Sequence, residues 1–81
     1  MAETAWHILI RSGDALAEVD DALRALAARG VPREASGYHK AMHVTRAGQT
    51  VVMVARRDSP LASELRGRPG WSEPGDTPLR T

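Results

Sequence analysis

One segment limits the possible folds more than any other. Between Ala15 and Arg29, Leu16, Val19, Leu23 and Leu26 recur at intervals of three, four and three residues, which lines one face of an α-helix. Ala15, Ala22 and Ala27 flank that stripe and permit close approach to a sheet. Glu18, Asp21, Arg24 and Arg29 fall on the water side, and Asp20 is spaced to pair with Arg24 across one turn. Asp14 or Ser12 supplies an acceptor for the free N–H groups of the first turn. Gly30, then Val31-Pro32, stops the helix: glycine takes the left-handed cap and proline cannot continue the ladder.

The segments around this rod read as strands. Trp6-His7-Ile8-Leu9-Ile10 is short and β-rich, and Ser12-Gly13-Asp14 closes it. After a connector over Arg33–Gly37, Tyr38 to Arg46 alternates, and Ala47-Gly48 with Gln49 signals a hairpin turn. Thr50-Val51-Val52-Met53-Val54-Ala55 is the most continuously apolar stretch, as a central strand requires. Ser59-Pro60 opens a short helix with Leu61 and Leu65 on one face, and Gly67 ends it. From Arg68 onward, Pro69, Gly70, Pro74, Gly75 and Pro78 interrupt regular structure. The expected organisation is one α+β domain over 1–67 and a flexible Pro/Gly-rich tail over 68–81 that Trp71 can pin. A right-handed crossover makes the first two strands parallel and puts the third between them. The predicted fold is a β-α-β-β two-layer sandwich, half of a ferredoxin-like unit, with a three-stranded sheet in the order 1-3-2. It lacks the second long helix and the fourth strand.

Strand alternation then divides the sheet. Trp6, Ile8, Ile10, Met42, Val44, Val52 and Val54 are expected to face the helix. His7, Leu9, His39, Ala41, His43, Thr45, Val51, Met53 and Ala55 are expected on the opposite, uncovered face. A slip of one residue would exchange the two sets.

The chemistry available is limited. Without cysteine there is no disulfide framework, thiolate nucleophile or cysteine-ligated metal. His39 and His43 lie roughly 13 Å apart along one strand face, too far to share a metal ion, so no metal or other cofactor is expected. No serine sits in a Gly-x-Ser-x-Gly elbow and no glycine-rich phosphate loop is present. No apolar run approaches the roughly 20 residues of a membrane helix, and the first ten residues lack the pattern of a secretory leader. A cytoplasmic location with no membrane partner is therefore expected. Ten arginines to one lysine, with alanine the commonest residue, suit the codon usage of a GC-rich bacterium or its phage. The formal net charge is only +1, yet residues 31–57 hold Arg33, Lys40, Arg46, Arg56 and Arg57 against Glu34 alone. That leaves a cationic hairpin able to meet RNA phosphate or an acidic protein surface.

Ser36-Gly37-Tyr38-His39-Lys40, opening a hairpin after a helix that ends in Gly30 and leading to a Val-rich strand, resembles the HicA (YcfA-like) toxins over about residues 16–57. The resemblance implies a small RNA-cleaving domain on a double-stranded-RNA-binding type of fold, with His39 as the catalytic histidine and Lys40 beside it. The chain departs from that family in its strand before the helix, in the absence of a long C-terminal helix, and in lacking a Pro-x-His element after Val54.

Two functional readings follow. The first is a non-enzymatic binding or regulatory module that works through the open face or edge of its sheet. It would act as a homodimer or as an inhibitor of a larger protein. Leu9, His39, His43, Val51 and Met53 would form the contact, with Arg46, Arg56 and Arg57 at its rim. The second is the HicA-like ribonuclease, with His39 as general acid/base.

Overall fold

The helix forms over Leu16–Ala28 (α1) and turns Val19, Ala22 and Leu26 inward. Asp14 accepts a hydrogen bond from the Leu16 N–H, and Gly30 takes a φ of 88° as the chain leaves the helix. A computed structural model describes residues 5–78, with side chains described within 6–74. Its strands are β1 (Ala5–Ser12), β2 (Tyr38–Val44), β3 (Gln49–Val54) and β4 (Trp71–Pro78). A second helix, α2, spans Pro60–Arg66, and a single 3₁₀ turn covers Arg33–Ala35.

The sheet is antiparallel in the order β2-β3-β1-β4. β3 lies between β1 and β2, as the crossover argument requires. The half-unit expectation is nevertheless corrected: a fourth strand joins the free edge of β1, and the chain completes a β-α-β-β-α-β unit. The predicted tail over 68–81 is corrected with it, because Trp71–Pro78 is strand; residues 79–81 lie outside the described residues. Pro74 and Pro78 are tolerated there because β4 is an edge strand, where a missing N–H breaks no inner ladder. Trp71 does anchor the segment: its indole N–H donates to Glu18 of α1, and Glu18 also pairs with Arg11 at 2.6 Å.

Both helices pack on the same side of the sheet. Leu9, Val52 and Val54 meet Val19, Ala22 and Leu26 from α1 and Leu61, Ala62 and Leu65 from α2, all buried. Thr50 ties the layers at one end. Its buried hydroxyl donates to the Gly13 carbonyl and accepts from the Ala15 N–H, both at 2.7 Å. At the other end, the Ser36 carbonyl accepts from the Leu61 N–H at 2.9 Å, and its hydroxyl donates to the Arg33 carbonyl at 2.6 Å. Gly37 sits between them with φ 86°, and a Cβ there would run into the Ser59 side chain. The Ser36-Gly37 pair thus has a structural duty in seating α2.

Cα pairing corrects the face assignment for β1 and most of β2. His7 pairs with Val54 and Leu9 with Val52, so His7 and Leu9 lie beneath the helices and Trp6, Ile8 and Ile10 point away from them. The β3 assignment, Val52 and Val54 inward with Val51 and Met53 outward, matches the expectation, as does His39 outward on β2. In β2 a bulge between Tyr38 and Lys40 shifts the alternation by one residue. Ala41 and His43 turn to the helix side with Val52 and Thr50, while Met42 and Val44 turn outward. Leu9→Ala is therefore expected to lower unfolding stability by about 2–5 kcal/mol, and Ile10→Ala, half-exposed, by clearly less. Urea unfolding of the two variants checks this, and the reverse ranking would contradict the register.

Candidate interaction face

The side of the sheet turned from the helices is apolar. Ile8 pairs with Met53, Ile10 with Val51, and Met42 with Val51, so their side chains form one continuous strip across three strands. Val44 extends the strip at one end and Trp6 at the other. Ile8, at the centre, is buried at 8% exposure, while Trp6, Ile10, Met42, Val44, Val51 and Met53 are half-buried. The shortest dimension of the molecule, 17 Å, accommodates a helix layer and a sheet but no third layer.

An aromatic pair closes one end of this strip. The Trp6 and His39 rings stack with centroids 3.9 Å apart and planes 4° from parallel. They come from β1 and β2, two strands not adjacent in the sheet. The first residue past the end of β3 between them is Ala55, which leaves room for the indole to lie across. His39 is exposed at the bulge, with Lys40 next to it. Among the described open-face positions of the paired strands, Lys40 is the one charged residue.

The sequence-predicted contact residues divide. Val51, Met53 and His39 are on the open face. Leu9 is fully buried in the core, and His43 lies on the helix side of the β2 edge strand opposite Thr50, so neither belongs to the face. The arginines do not make one hairpin patch. Arg46 is in the turn after β2, whereas Arg56 and Arg57 follow the far end of β3, a strand length away. Arg56 pairs with Asp58 at 3.2 Å, the Arg57 carbonyl accepts from Arg66, and Arg33 lies 4.7 Å over the Tyr38 ring. Trp6, Ile8, Ile10, Met42 and Val44 were missed. The period-two row Trp6, Ile8, Ile10 was legible as a row, but nothing local said which way it faced.

The helix side holds a polar cluster that sequence reading did not find. His7, 3% exposed, donates from Nε2 to Glu73 Oε1 at 2.5 Å, and Arg66 of α2 donates to the same carboxylate at 2.5 and 3.1 Å. The Arg66 guanidinium holds the Glu73 carboxyl down at about 2, with His7 acting in the same direction and burial opposing both. On α2, Glu64 is also lowered, chiefly by Arg68 and then by Arg29. Among the described residues no group of three or more His, Cys, Asp or Glu could hold a metal ion. Edge pairing is discouraged at both margins, by the β2 bulge and by the prolines of β4. Compared with known proteins, the chain matches no family model, no curated protein and no solved structure.

Glu73 generates a pH prediction. Its folded value lies below the usual glutamate value near 4.5, so its contribution is full above that pH and is lost as pH falls towards about 2. Glu73→Gln is expected to remove about 1–3 kcal/mol at pH 7 and to shrink the stability lost between those two pH values. Urea midpoints across the acid range check this. Equal acid losses in both proteins would contradict it.

Proposed function

We propose that this chain is a small non-enzymatic binding module that regulates another protein, or itself, through the open side of its sheet. One observation carries the reading: Trp6, Ile8, Ile10, Met42, Val44, Val51 and Met53 share a face to which neither helix contributes. Soluble monomers seldom leave a contiguous apolar patch larger than a few hundred Å² facing water. The pattern around the strip supports a protein partner. Lys40, Arg56 and Arg57 at one end and Arg46 at the other give an apolar centre with a polar rim, the usual anatomy of a protein interface. An inhibitor that seats this face on a larger protein would use the same surface.

A photo-crosslinking amino acid placed at Met42 tests the reading in cells. It is expected to give discrete protein adducts, and the same probe at Arg24, on the exposed side of α1, is expected to give none. Adducts from Arg24 but not from Met42 would overturn it.

The HicA-like ribonuclease is the second reading. The observation that favours it is the exposed His39 beside Lys40, its ring steadied by Trp6. Against it, His7 is buried beneath the helices and His43 lies on the other side of the sheet, so neither stands with His39 as a second general acid or base. RNA cleavage by the purified chain that His39→Ala abolishes would establish this reading in place of the first.

A further inference from the structure

We propose that the occupant of the open face is a second copy of this chain, seated face to face across a two-fold axis as an eight-stranded sandwich with helices on both outer sides. This rests on the reading of that face as the working surface and names its partner. Three observations commit the face to itself.

The first is chemistry. A central strip made of Trp6, Ile8, Ile10, Met42, Val51 and Met53 offers almost nothing to a partner that brings charge, because Lys40 is the one charged residue among its described positions. An identical aliphatic surface satisfies it fully. Two sheets of the same twist also pack readily face to face, with their strands about 30° apart.

The second is area. Four strands about 4.8 Å apart, the longest of eight residues at about 3.3 Å each, give a footprint of roughly 400–500 Å² per copy. Two copies together bury roughly 800–1,000 Å², at the small end of the range, where weak and transient associations lie. The dimer is therefore reversible and dissociates on dilution.

The third is charge. A formal net charge of +1 sets up no long-range repulsion between copies. Lys40 sits on the edge strand β2, where its ammonium can stay in water while the strip closes.

The two tryptophans report the two sides of the sheet, which makes the test direct. Trp71→Phe leaves Trp6 as the sole indole, on the open face. Sedimentation of this variant is expected to move from monomer to dimer as concentration rises from the low micromolar to the millimolar range. Iodide quenching of Trp6 is expected to fall in step. Met53→Asp, and independently Val51→Lys, are expected to weaken association at least tenfold, with circular dichroism unchanged. Two variants at half-exposed positions guard against one of them failing to fold. A chain that stays monomeric at millimolar concentration overturns the self-association and leaves the face free for another protein. A dimer that forms with Trp6 still fully quenchable, and that survives both substitutions, uses another surface and overturns the face reading as well. A monomer whose Trp6 is instead quenched and protected by a single-stranded RNA oligonucleotide overturns the protein-partner assignment.

Discussion

The structure depends on which way β1 faces. That strand has apolar residues on both sides, and only one side can go under the helices. Packing Leu9 against Val52 and α1 puts a medium-sized side chain into a core only one layer deep, whose helix side is built from Val19, Ala22, Leu26, Leu61, Ala62 and Leu65. Trp6, Ile8 and Ile10 are then turned outward together, because alternation admits no partial choice. One packing decision sets both the core and the exposed strip.

The inward row also brings His7 below the helices, which requires partners for a buried imidazole. They come from the far end of the chain. Glu73 on β4 and Arg66 on α2 form a chain of charge-assisted hydrogen bonds that includes His7. This contact, with the Trp71–Glu18 and Arg11–Glu18 pairs, accounts for a stable fourth strand despite two prolines and two glycines within or beside it. The fold closes because β1 is held on both edges, by β3 through apolar pairing and by β4 through polar anchors.

Sequence reading recovered what is written locally. The helix α1 with Val19, Leu23 and Leu26 of its stripe, its glycine stop, the hairpin, the short helix after Ser59-Pro60, and β3 between β1 and β2 all follow from spacing and turn chemistry; Leu16, expected in the same stripe, is exposed at the first turn instead. Non-local information was not readable. In β1, three large apolar residues outweighed Leu9 by hydrophobicity, yet Leu9 is the one that packs into the thin core, and His7 on the same face meets the distant Glu73. In β2, the first two positions obey simple alternation, and the bulge at His39 then exchanges every later residue. In β4, prolines read as breakers because nothing in the segment shows that it would be an edge strand. The open face was legible as an idea, and Val51, Met53 and His39 as members of it. The rest of its membership changed with the register of two strands. That change makes the face more apolar than expected: Leu9 and His43 leave it, and an indole, two isoleucines, a methionine and a valine enter.

The central claim is that Trp6, Ile8 and Ile10 turn outward to a surface built for contact while Leu9 turns inward. Methyl NMR in the presence of a soluble paramagnetic agent tests it most directly. In dilute protein, broadening of the Ile10, Val51 and Met53 methyl signals is predicted, with the Leu9, Val52 and Val54 methyls protected. At high concentration, or with a bound partner, the first set becomes protected too. Strong broadening at Leu9 with protection at Ile10 in the dilute sample would contradict the account.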